Sequence, residues 1–177
     1  MWCSEGETIV ADNYLSFSER IDGLTPAACE WVETVLSLNP DESDEELKTL
    51  VAELGCEPSN DELEELVYTW PHFEWKIQNL LDRDGKAIHN IWLYTEEWGS
   101  LQHVKWFVQA LIHTFMPDYI FTLTFAETCS KPRLREFGGG WLVISKDETL
   151  WGDTWREAES SAEAIRARAR SWIVNDG

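Results

Sequence analysis

The sequence predicts an α+β fold, with an antiparallel sheet of about five strands in ferredoxin-like βαββαβ order and helices mainly on one face. Three observations predict it. Short segments alternate apolar and polar residues with period two, and longer ones carry apolar stripes with period 3.6. Their order along the chain is β-α-(α-α)-β-β-α-β, then a further strand and a closing helix. Without the bracketed pair, the first six elements follow the split βαβ pattern. The chain of 177 residues is long enough for one domain with a real core, so 1–177 reads as a single α+β domain, with residues of about 40–70 as an acidic helical insertion.

Each element has a local reason. Asn13–Glu19 (NYLSFSE) alternates as a short strand. Thr25 is placed to cap a helix with Pro26 at its first position, and Ala28, Trp31, Val32, Val35, Leu36 and Leu38 form its stripe until Asn39-Pro40 stops it. Ser43 and Glu46 have capping-box spacing ahead of Leu47, Leu50, Val51 and Leu54, and Gly55 suits the exit. Asn60 repeats the logic ahead of Leu63, Leu66 and Val67. Phe73–Asn79 alternates strictly, Asp84-Gly85 signals a hairpin, and a strand follows through Ile88, Trp92 and Tyr94. From Ser100 to Pro117 runs an amphipathic helix with Leu101, Val104, Phe107, Val108, Leu111, Ile112 and Phe115 on one side. Tyr119–Phe125 and Trp141–Ser145 are rich in β-formers. A terminal helix places Trp155, Ala158, Ala162, Ile165, Ala169 and Trp172 in register. The four strands after residue 70 are expected in one sheet, with Trp75, Trp92, Phe107, Leu111 and Phe121 facing the interior. Most of the eleven Trp residues are expected in the core.

Composition narrows the function. There are 33 Asp and Glu against 14 Lys and Arg, a formal charge of -19. Residues 30–67 hold thirteen acids and one base, whereas residues 127–177 hold nine acids and eight bases. Such a chain repels phosphate, which disfavours direct binding to nucleic acid or to an anionic membrane. No stretch approaches the ~20 apolar residues of a membrane helix. The N-terminal stretch lacks the pattern of a secretory leader, and Cys3, Cys29, Cys56 and Cys129 are too widely spaced for a zinc site or a disulfide scaffold. A cytoplasmic protein with free thiols, no metal and no cofactor is the expectation.

Two sets of residues stand out as candidate sites. Asp41, Glu42, Asp44, Glu45, Glu46, Asp61, Glu62, Glu64 and Glu65 lie on the two short acidic helices. Carboxylates about 5–6 Å apart on one helix face imitate a phosphate backbone. Their target would be a basic, nucleic-acid-binding protein, and the plain alternative is a solvated helix face. The other set is the loop from Glu127 to Gly140. Lys131, Arg133 and Arg135 alternate there, Pro132 forbids a helix, and Gly138, Gly139 and Gly140 allow close approach of backbone to a ligand. With Glu127 and Cys129 these residues outline an anion or small-ligand site. They equally suit a hairpin connection whose arginines pair with the protein's own acids. Catalytic patterns are thin. His72, His89, His103 and His113 form no metal motif, and Glu96, Glu97 and Glu127 have no visible acid–base partner.

The segment ETCSKPR followed by EFGGG, with IWLYTEEWGSLQHVKWFVQALI upstream, resembles a bacterial, phage and plasmid protein family over about residues 70–155. The resemblance implies a mobile-element setting and no particular chemistry. Taken together, the expectation is a non-enzymatic acidic binding protein, of the kind that mimics nucleic acid to inhibit a basic host protein. The alternatives are a ligand-binding protein or enzyme centred on the Glu127–Gly140 loop, and a toxin-neutralising partner.

Overall fold

The computed structural model describes residues 12–38, 49, 69–81, 83–85, 87–131 and 137–175, with backbone alone for 167–175. Its centre is one antiparallel sheet of six strands in the order β2-β3-β1-β4-β5-β6. The strands are β1 (Asn13–Leu24), β2 (Glu74–Leu81), β3 (Ala87–Thr95), β4 (Phe121–Cys129), β5 (Gly138–Ile144) and β6 (Thr149–Asp153). Three helices have described bounds: α1 (Pro26–Leu36), α2 (Leu101–Phe115) and α3 (Thr154–Asn175).

The expected caps are present. The Thr25 hydroxyl accepts the Ala28 N–H at 3.1 Å, with Pro26 next to it, and the Ser100 hydroxyl accepts the His103 N–H at 3.3 Å. α3 has a cap that the sequence reading did not anticipate. Asp153 Oδ1 accepts the N–H groups of Trp155 and Arg156 at 2.8 and 3.0 Å. A carboxylate there also complements the positive end of the helix dipole.

Strand register shows how the core is built. Ile21 lies opposite Ile91, Phe17 opposite Phe125, Leu123 opposite Leu142 and Phe121 opposite Ile144. Side chains directly opposite in a ladder share a face, so these residues make one continuous apolar surface. α1 covers it with Ala28, Val32, Val35 and Leu36, and α2 with Val104, Phe107, Val108, Leu111 and Ile112. Trp31 locks the two helices together, lying 6.0 Å from Phe107 and 5.6 Å from Phe115 between ring centres. The other face carries Ser18, Arg20, Thr122 and Thr124, all exposed, with Trp92 stacked on Tyr94 at 4.2 Å.

The structure corrects the sequence reading in four places. The sheet has six strands, not about five, because Ser145 and Glu148 close a tight turn and the chain returns as β6 along β5. Trp92 is half-buried and faces away from the helical layer, since it lies on the opposite face of β3 to Ile91 and Leu93, which belong to the core. Phe107, Leu111 and Phe121 are buried as expected, and Trp75 packs against the core from its margin. Among the described tryptophans only Trp70 and Trp106 are buried, so the core is built from Ile, Leu, Val and Phe instead. The described part of the α3 stripe, Trp155, Ala158, Ala162 and Ile165, is not buried either, because this helix packs chiefly on β5 and β6 at the sheet margin. Trp155 and Ile165 stay 50% and 60% exposed. No helix of the described residues is long and apolar enough to cross a membrane.

Candidate functional site

β1 and β5 begin, and β3, β4 and β6 end, at one end of the sheet. A cleft of about 350 Å³ opens there. Its walls come from six stretches of chain: Asn13–Leu15, His72, Glu97–Gly99, Glu127–Thr128, Phe137–Gly138 and Trp155.

The segment after β3 is held on several sides. The backbone carbonyl of Glu97 accepts the N–H of Leu15 at 3.0 Å, and that of Glu96 accepts the Ser16 hydroxyl at 2.8 Å. The Thr95 hydroxyl donates to the carbonyl of Trp98. Gly99 presses close to Thr95, so that a Cβ at residue 99 would lie 2.8 Å from the threonine methyl. These bonds fix the backbone beneath Trp98, whose ring meets Tyr14 edge-on at 6.3 Å and is 60% exposed. Elsewhere in the lining, the Trp155 indole N–H donates to the carbonyl of Phe137 at 2.8 Å. The cleft therefore presents aromatic surfaces on anchored backbone.

Glu127 stands opposite Gly138 in the β4–β5 ladder. A side chain at residue 138 would meet Trp155 at 3.3 Å and the Glu127 carboxylate at 3.7 Å. The glycine therefore leaves open the space between that carboxylate and the indole. Glu97 adds a second acidic residue to the lining. No Lys or Arg is among the described lining residues. His72 adds an imidazole, and its backbone N–H donates to Nδ1 of His103 at 3.0 Å. Burial, reinforced by His72, pushes the His103 imidazole down to about 4, so His103 is neutral at pH 7 and carries its proton on Nε2. Aromatic faces and carboxylates together attract a cation: the rings through their quadrupoles, the carboxylates through their charge.

The residues singled out from sequence fall in different places. Glu127 and Gly138 line the cleft. Gly139 and Gly140 serve the sheet. Gly139 has φ +141°, and a Cβ there would overlap the Phe125 carbonyl oxygen, while one at Gly140 would overlap that of Gly152. Cys129 is buried at the end of β4, and Lys131 is half-buried just beyond it. Arg133, Arg135 and the acidic set Asp41, Glu42, Asp44, Glu45, Glu46, Asp61, Glu62, Glu64 and Glu65 lie outside the described residues. Glu97 and Glu127, separately visible as carboxylates without partners, share the cleft. Tyr14, Trp98, Phe137 and Trp155 carried no functional signal in the sequence except an unusual abundance of Trp.

No protein-family model, curated protein or solved structure matches the chain.

Proposed function

We propose that this is a non-enzymatic acidic binding protein whose partner is basic. The observation that carries the reading is the reach of the negative charge. Thirteen acids against one base crowd residues 30–67, and the described cleft adds Glu97 and Glu127 without a described Lys or Arg in its lining. A field of one sign steers an oppositely charged partner and rejects polyanions. The finer reading is an inhibitor of phage or plasmid type that presents the acids of residues 41–46 and 61–65 in place of a phosphate backbone, acting in the cytoplasm. The β1-α1-β2-β3-α2-β4 order, with its strands arranged β2-β3-β1-β4, supports a ferredoxin-like unit carrying the acidic segment of about residues 40–70 as an insertion.

The test is reversal of Asp44, Glu45, Glu46, Glu62 and Glu65 to Lys, followed by capture from host lysate. The wild type should retain basic, nucleic-acid-binding proteins at low salt, release them as salt rises, and lose them to added DNA fragments. The reversed variant should retain none of them. Equal capture by both proteins would sink the reading. Capture of a toxin would identify the protein as an immunity factor instead.

A further inference from the structure

We propose that the cleft between Trp98 and Trp155 is a socket for one basic side chain, an arginine or a lysine, projected by the partner protein. This rests on the binding reading above and names the chemistry of one contact. Three features of the cleft select that occupant. Two acidic residues line it, Glu97 after β3 and Glu127 on β4, so a cation entering it meets negative charge. Its walls carry Tyr14, Trp98, Phe137 and Trp155, whose faces hold the alkyl stem and attract the charged head. Its volume of about 350 Å³ suits a single side chain better than a folded segment.

The walls are also fixed before anything binds. The backbone of Trp98 is held by Thr95 and the neighbouring Glu97 by Leu15, while Trp155 is tied to Phe137. Gly138 keeps the floor clear where any larger residue would approach both Trp155 and Glu127. A fixed site loses little side-chain freedom on binding. An anion would face two carboxylates, and a neutral amide of the same shape would gain the stacking but lose the charge. The socket should therefore discriminate by charge at constant shape.

Arginine and citrulline provide that comparison, since citrulline replaces the guanidinium by a neutral urea. The probes are N-acetyl-arginine methylamide, the lysine analogue and the citrulline analogue, titrated into the full chain labelled with ¹⁵N. The readout is the indole N–H resonances of Trp98 and Trp155, assigned with Trp98→Phe and Trp155→Phe. The cationic probes should shift both resonances saturably, with Kd on the order of 1 mM, and citrulline should not. Glu97→Gln with Glu127→Gln should weaken the cationic probes at least about tenfold, roughly the loss of both ion contacts. Trp98→Ala should weaken them about fivefold. All four side chains removed are exposed or line an open cleft, and an unchanged amide spectrum elsewhere verifies the fold. Equal response to citrulline, or undiminished binding in the Gln double variant, would overturn the socket. So would linear, unsaturated shifts up to tens of millimolar, roughly ten times the expected Kd. Failure here leaves capture by the acidic segment standing, and failure of that capture leaves the socket standing, because the small probes need no partner protein.

Discussion

His103 shows how one side chain ties a wall of the cleft to pH. It is buried in α2, its Nδ1 accepts the backbone N–H of His72, and its ring lies 5.5 Å from that of Trp70. Desolvation, followed by the charge of His72, lowers its pKa from the ordinary 6.5 to about 4. The folded state therefore binds fewer protons than the unfolded chain between those values. Its contribution to stability is fully present above about pH 6.5, is lost as pH falls toward 4, and changes no further below that. At about 1.4 kcal/mol per unit, the span is about 3 kcal/mol. His103→Gln retains an acceptor and removes the titration. Urea melts at pH 7 and pH 4.5 should show a loss of stability smaller in the variant by about 2 kcal/mol. Parallel losses in the two proteins would show that acid stability is controlled elsewhere.

Among the elements, the β5–β6 hairpin is the one most dependent on absent side chains. Gly140 lies opposite Asp153 and Gly152 opposite Trp141. A Cβ at Gly140 would overlap the Gly152 carbonyl oxygen and press on Phe125, and a Cβ at Gly152 would overlap the Trp141 ring. Trp141 lies over that glycine and donates its indole N–H to Glu157 at 2.8 Å, which connects β5 to the first turn of α3. Thr154 donates its hydroxyl to the carbonyl of Gly139 at 2.9 Å and adds a second tie. Gly140→Ala should force the two strands apart and cost about 1–3 kcal/mol, the usual range for overpacking. Gly138→Ala, where the nearest neighbour is a ring edge at 3.3 Å, should cost less. Thermal melts of both variants against wild type measure the difference. An equal effect at the two glycines would mean that the hairpin yields without strain.

At the scale of the whole molecule the controlling quantity is charge. A body at -19 repels itself, and that repulsion opposes the compact state. Raising NaCl from about 20 mM to about 500 mM shortens the screening distance from roughly 20 Å to roughly 4 Å. The melting temperature should rise by about 5 °C, equivalent to roughly 2 kcal/mol for a chain of this size. A fall would show that attractive pairs outweigh the repulsion. The same salt should weaken binding of the proposed basic partner, so on that reading the protein should be most stable where it binds least. This opposition is expected of a protein whose recognition depends on an unbalanced charge.

The sequence by itself determined the identity and order of the described elements other than β6. That information is local. A hydroxyl at Thr25 or Ser100 caps the residues just after it, Pro26 suits the first turn it occupies, and an apolar period of two or 3.6 is written within a single segment. The pairing of β5 with β4 was legible too, because sequential strands joined by a turn-rich loop tend to pair. Other features were decided only by the tertiary structure. Alternation in HNIWLYT divides β3 into two faces, both with apolar residues, and only contact with the helices selects Ile91 and Leu93 over Trp92 and Tyr94 for burial. The strand β6 is too short to register against its polar turn, and it becomes a strand by pairing with an edge already formed. The cleft was the least legible feature. Glu97, Glu127 and Trp155 each lie about thirty residues from the next, and each looks ordinary within its own segment. They meet because the register of β1 with β3 and β4, and of β4 with β5, brings those strand ends together. Register is set by burial of the opposite ends of the same strands, a property of the whole core that no local segment encodes.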